Sequence, residues 1–274
     1  MQKHYGKSAI ALFSIFCIWS VAAQAISRDD LASQIEAAHA EQLSGIERVA
    51  ITSEISTGVM AGMTSTGRFV KDTEDGQPVL REVGSDDHGT MNLAGMHDGT
   101  LPKMVRNSSS IERGRIDGVR VYIVLVDDVD FLKSLEEINL SDDLLDEEFE
   151  PKSVRLWLAA SDFTARKLEY VQSGPGGGDM TVTVTMADYE EFEGLPIAKQ
   201  ISIHIAGMEQ MIAPEDLQEM RQQMKMMQEQ LAMMPDEQRA MIEATLAPQI
   251  AQFEEMMSAG GTQFEIRIVD VKVN

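Results

Sequence analysis

The feature that most restricts how this chain can fold is a succession of short alternating segments joined by short connectors. From Ile46 onward, Val49, Ile51 and Ile55 fall on one side of an extended chain and Arg48, Thr52 and Glu54 on the other. Thr66 to Lys71 and Pro78 to Val83 repeat the pattern around an Asp75-Gly76 turn, and Gly118 to Asp127 (GVRVYIVLVD) is the strongest strand signal. Ser153 to Leu158, Ala165 to Ser173, Met180 to Ala187, Ile197 to Ala206 and Thr262 to Val273 follow. Parallel neighbours would need crossovers of a dozen or more residues, which these connectors lack. The sequence therefore predicts a predominantly antiparallel sheet of about eight strands. Gly84 to Pro102, rich in glycine, reads as loop, and Asp130 to Pro151 as a short helix (Leu132, Leu135, Ile138) followed by an acidic run.

Helical periodicity appears in two other places. Asp29 to Leu43 places Leu31, Ile35 and Ala38 near one another, with acids in the first turn and Gly45 just beyond the end. The second place is residues 213–259. There Pro214 and Pro235 each precede acidic residues, as at the start of a helix. Leu217, Met220, Met224, Met227, Leu231 and Met234 recur at helical spacing in the first arm, and Ile242, Leu246, Ile250, Phe253 and Met257 in the second. The expectation is an antiparallel helical hairpin inserted before the last strand. Met226, Met233 and Met241 lie off the main stripes, so the apolar surface exceeds one seam. Methionine suits surfaces that repack around varied shapes.

Residues 1–25 read as a signal peptide. Lys3 and Lys7 precede the apolar run Ala9 to Val21, and Ala23-Gln24-Ala25 offers small residues for cleavage. The run is short for a membrane span. Residues 26–274 are then expected to form one exported domain that is not an integral membrane protein. Cys17 is the one cysteine and lies in the leader, which excludes disulfides, thiol catalysis and cysteine-ligated metals from the mature chain. Without Lys3 and Lys7 the formal charge of −22 becomes −24. Such a balance repels nucleic acid and anionic headgroups.

No catalytic constellation is legible. The mature chain's histidines are scattered, no serine sits in a nucleophile elbow, and GPGGGDM lacks the lysine and helix of a phosphate loop. The expectation is a protein that is not an enzyme and has no cofactor. The segment DDHGTMNLAGMHDG offers His88, Met91, Met96 and His97, a thioether–imidazole set suited to copper(I), against the plainer reading of a polar loop. The acidic runs at Asp127 and Ser141 lack the spacing of a calcium loop.

Several segments together resemble the periplasmic lipoprotein-carrier superfamily, the LolA-like outer-membrane lipoprotein-sorting proteins. They are the leading helix followed by GIERVAITSEI, the pair STGRFVKDTEDGQPVLRE, SVRLWLAASDFTARKLEY, and the terminal FEIRIVDVKVN. The most telling is DYEEFEGLPIAKQI. The resemblance implies an α+β fold: a strongly curved antiparallel, unclosed β-barrel with an N-terminal helix and an apolar concave face under helices. It implies a periplasmic location in a Gram-negative bacterium and lipoprotein acyl chains or another lipid as ligand. The arginine that holds the lid shut in the best-known carrier has no counterpart here, where Asp72-Thr73 stand. From periodicity, Val121, Ile123 and Leu125 are the expected sheet lining, with Leu217, Met220, Met224, Met227, Leu231 and Met234 as the lid. The rival reading is an envelope sensor or assembly factor whose methionine hairpin binds a protein partner. A weaker one is a copper or oxidant buffer.

Overall fold

The structure is a computed structural model and describes residues 26–56, 61–85, 97, 99–139, 150–174, 177–207, 226 and 261–274. The expected leader, the loop residues His88, Met91 and Met96, and the methionine segment apart from Met226 lie outside these residues.

Helix α1 (Arg28–Gln42) comes first. Its N-cap Ser27 accepts a hydrogen bond from the Asp30 amide at 3.0 Å and donates its own hydroxyl to Asp30 Oδ2 at 2.6 Å. Orphan amide and acidic side chain are thereby satisfied together. Strands β1 (Arg48–Ile55), β2 (Thr64–Glu74) and β3 (Gln77–Ser85) form a meander, followed by helix α2 (Thr100–Arg106). Then come β4 (Ser110–Ile116), β5 (Val119–Val126), helix α3 (Val129–Asn139), β6 (Glu150–Ala159), β7 (Ala165–Ser173), β8 (Asp179–Phe192), β9 (Leu195–Ala206) and β10 (Gly261–Val273). All ten strands belong to one antiparallel sheet ordered β3-β2-β1-β10-β9-β8-β7-β6-β5-β4, open at β3 and β4.

Two elements differ from the sequence reading. The stretch read as loop ends in α2, whose Leu101, Pro102 and Val105 are buried. Gly99, at φ 86°, supplies the left-handed turn into it. The strong strand at Gly118 is the second half of a hairpin, and its partner β4, absent from the sequence reading, carries Arg113, Gly114 and Arg115 in place of apolar alternation. An edge strand with charges and a glycine resists pairing with other chains, and the same features hide it from a hydrophobicity pattern.

Curvature follows from α2. In a flat sheet, the first and ninth strands, β3 and β5, would lie about 38 Å apart at about 4.8 Å per strand. A seven-residue helix is about 10 Å long. Yet a methyl group on Gly99 would stand 3.2 Å from Val79 of β3. At the other end of α2, Val105 shares a core with Val124 and Val126 of β5. The sheet is therefore rolled into an unclosed barrel, and α2 reaches from the edge strand β3 to β5, next to the other edge. Lys103 fastens α2 to Glu74 of β2 at 2.6 Å, and Arg106 fastens it to Glu36 of α1 at 2.7 Å.

Candidate binding site on the concave face

Cross-strand register decides which side chains face inward. One rung reads Val124, Leu156, Leu168, Val184, Ile203 and Phe264 across six neighbouring strands, all apolar. The next reads Val126, Val154, Tyr170, Val182, Ile205 and Thr262. The adjoining rungs, on the other face, read Leu125, Arg155, Glu169, Thr183, His204, Gln263 and Ile123, Trp157, Lys167, Thr185, Ser202, Glu265. Apolar rungs face the helices and polar rungs face away, as a sheet with one solvated side requires.

The inward face has two parts. Over β5–β7, Leu31, Ala32 and Ile35 of α1, Leu101 and Val105 of α2, and Leu132 and Leu135 of α3 pack on Val124, Val126, Val154, Leu156 and Leu158. Over β8–β10 the cluster consists of strand residues alone among those described. Ala198, Ile201, Ile203 and Ile266 are buried, while Ile55, Val182, Val184, Met186, Tyr189, Ile205 and Phe264 are only partly so. Met186 packs against both clusters and joins them. A third cluster, built on Leu43, Ile46, Val49, Ile51, Phe69 and Leu80, fills the β1–β3 side.

The wall of β8–β10 is the candidate site, and it corrects the expected lining. Ile123 and Leu125 lie in the polar rungs, where Trp157 is flanked by Lys167 Nζ at 4.7 Å and the Arg155 guanidinium at 5.9 Å from its ring centroid. Val121 shares their face, buried beside Gly114 and Ala159. A strand apolar at every position cannot announce its inward face, because both alternating sets look alike. The signal for the wall was present in T-V-T-V-T-M and I-S-I-H-I, where the alternation is unambiguous. Of the expected lid, Leu217, Met220, Met224, Met227, Leu231 and Met234 lie outside the described residues, while Met226 is helical and 55% exposed.

The methionine segment is nevertheless tied to this wall through its ends. Ala206 and Gly261 are paired residues on β9 and β10, so residues 208–260 leave and re-enter the sheet at one spot. That spot adjoins the Val182–Ile205 pair. Gly207 turns there with φ 83°, and a Cβ on it would come within 2.3 Å of the Asp179 carbonyl oxygen. A Cβ on Gly261 would come within 2.4 Å of the Ile205 carbonyl oxygen.

Of the four residues of the expected copper set, His97 alone lies within the described residues. Its ring lies 4.6 Å from that of His39, and its Nε2 is 3.0 Å from Gln42 Oε1. Burial lowers the pKa of His39 to about 4, and burial together with the neighbouring His39 lowers that of His97 to about 3. Both imidazoles are neutral at neutral pH and bind α1 to the segment before α2. Among the described residues no group of three or more His, Cys, Asp or Glu is placed to hold a metal ion. Beside this pair, a polar cleft of about 280 Å³ is lined by Glu36, His39, Glu74, Lys103 and Arg106. Lys103 pairs with Glu74 and Arg106 with Glu36 there, which makes it a seam between α1, α2 and the β2–β3 turn.

Asp72, where the carrier's arginine would stand, accepts from Arg81 Nε at 2.8 Å across the β2–β3 hairpin. The nearby fastening to α2 is made by Glu74 instead. No protein-family model and no curated protein sequence matches the chain. Among solved structures, three similar chains illustrate the likeness. A domain from Vibrio parahaemolyticus, described as outer membrane lipoprotein-sorting, is 8% identical with a TM-score of 0.42, covering 89% of this chain and 91% of the other. A LolA superfamily protein from Nitrosomonas europaea is 10% identical with a TM-score of 0.34, covering 91% and 94%. A DUF1329 family protein from Desulfovibrio piger is 8% identical with a TM-score of 0.38, again covering 91% and 94%. The LolA-like resemblance read from the sequence thus recurs among solved structures, and at these values it carries nothing about what this chain binds.

Proposed function

We propose that the protein is a periplasmic binding protein that shelters lipid or lipoprotein acyl chains against the β8–β10 wall of its rolled sheet. The observation that carries this reading is the contrast within the concave face. Three helices cover β5–β7, whereas the described cluster on β8–β10 is strand-only and leaves Val182, Val184, Met186, Ile205 and Phe264 partly exposed. Apolar side chains that keep accessible surface inside a rolled sheet favour an apolar occupant. Burying a sixteen-carbon chain is worth roughly 12 kcal/mol at about 0.8 kcal/mol per methylene, so wall and cover must enclose most of its length. The segment 208–260, anchored at the edge of the wall, is the cover in this proposal. Binding is noncovalent, and release follows when the cover moves.

Uptake of a fluorescent fatty acid by delipidated protein tests this directly. Val184→Asp should reduce uptake at least about tenfold, since it sets a carboxylate into the apolar wall. Thr183→Asp, one residue away on the polar face, should leave uptake unchanged. Equal effects of the two substitutions would refute the wall as the site.

A further inference from the structure

The apolar wall has a cation at one end. Arg166 is the extra residue of a bulge in β7, where Leu158 pairs with Ala165 and Trp157 with Lys167, and its face is set by its contact with Tyr189, which packs with Met186 in the wall's cluster. The pairing of Lys167 with Thr185 makes Met186 its nearest neighbour on β8. The Arg166 guanidinium lies 4.3 Å from the centroid of the Tyr189 ring. Tyr189 is itself held by hydrogen bonds from its hydroxyl to the Ala165 carbonyl and, at 3.7 Å, to Met186 Sδ. Arg166 therefore belongs to the same surface as the wall, and only 22% of its side chain is exposed.

Its hydrogen bonding is incomplete. Arg166 Nε is buried and has no acceptor. The nearest carboxylate oxygen, Asp162 Oδ2, stands 4.0 Å from Nη2, beyond hydrogen-bond distance. Asp162 is moreover engaged elsewhere. Its Oδ1 accepts from the Thr164 amide at 2.9 Å and hydroxyl at 2.5 Å, and Oδ2 accepts from Ser161 at 3.1 Å. A guanidinium presents Nε–H and a neighbouring Nη–H as a fork that fits two oxygens of one anion. Leaving the Nε–H buried without an acceptor is costly, and a methionine of similar length would suit the site better if packing were its sole purpose.

We infer that Arg166 anchors the anionic head of a single-chain amphiphile, a carboxylate or phosphate, whose acyl chain runs from Met186 along Val184 and Val182. This rests on the acyl-chain reading above and names the class of ligand. The fork binds the head side-on, Tyr189 holds the guanidinium in plane, and the chain follows β8 toward the Gly207–Gly261 anchor.

The test compares palmitate, hexadecyl phosphate, uncharged hexadecanol and inorganic phosphate, each below its aggregation concentration, on the delipidated full chain. Palmitate, hexadecyl phosphate or both should bind about tenfold or more tighter than hexadecanol, and the tighter of them identifies the head group. In Arg166→Met that ratio should collapse to about one while hexadecanol binding persists, a change that a packing role would not produce. Arg166→Lys, which keeps the charge and loses the fork, should give an intermediate ratio and serves as the test should the Met variant lose cooperative melting. A wild-type ratio near one, or an unchanged ratio in both variants, overturns the anchor and leaves the acyl-chain reading standing. Inorganic phosphate that competes with palmitate at equal concentration overturns the amphiphile assignment. Failure of every chain-bearing probe to bind overturns the acyl-chain reading and the anchor together.

Discussion

At the scale of single residues, the buried His39–His97 pair makes stability depend on pH in a stated direction. Both pKa values are lower in the folded chain than the ordinary 6.5, so the unfolded state binds more protons between the two. The stability the pair contributes is complete above about pH 6.5 and is lost as pH falls toward 4 and then 3. Thermal melts should show a loss of about 1–2 kcal/mol per histidine between pH 6.5 and 5, and His39→Gln should flatten that part of the profile. An unaltered slope in the variant would assign the acid sensitivity to carboxylates. Ile203, 1% exposed at the centre of the inward face, offers a complementary check. Ile203→Ala should cost about 2–5 kcal/mol by denaturant unfolding, as large-to-small changes in cores do. Neither role could be read from residue type. His97, inside the glycine-rich stretch that begins at Gly84, carries no mark of the helix it will touch, and it meets His39 only through the docking of α2 on α1.

At the scale of elements, the legible and the hidden divide by how strongly each segment announces its own period. Helix α1 and strands β5 to β10 appear where alternation or helical spacing placed them, because their patterns are regular and their caps and turns are local. Helix α2 was hidden since its seven residues follow a glycine-rich stretch and include Pro102; its stability comes from burying Leu101 and Val105 in a core formed by distant strands. The junctions of the long insertion are a further element-scale feature. At Gly207 a side chain would need both a left-handed backbone and space already taken by the Asp179 carbonyl. Gly207→Ala should therefore destabilise by at least about 1–3 kcal/mol in equilibrium unfolding, whereas Gly118→Ala, at φ 81° with nothing within 4 Å, should pay the backbone term alone.

At the scale of the whole molecule, the adjacency of Ala206 and Gly261 predicts that the sheet does not depend on the insertion for its connectivity. Replacing residues 213–259 with a short glycine-containing turn should preserve the strand signal in far-UV circular dichroism and a cooperative melt. Retention of a bound fluorescent fatty acid should fall, because the wall would lose its cover. Unchanged retention, with loss of an envelope protein in pull-downs, would favour the docking-arm reading instead. By itself the sequence determined the antiparallel sheet, the leading helix, the short connections and the absence of cysteine chemistry in residues 26–274, all consequences of local periodicity and composition. Only the tertiary structure decided which face of β5 turns inward, that a seven-residue helix reaches from β3 to β5, and that Arg166 ends an apolar wall. These depend on register between strands far apart in the chain and on rolling the sheet, and a linear pattern records the period of a strand but not the side on which its neighbours close.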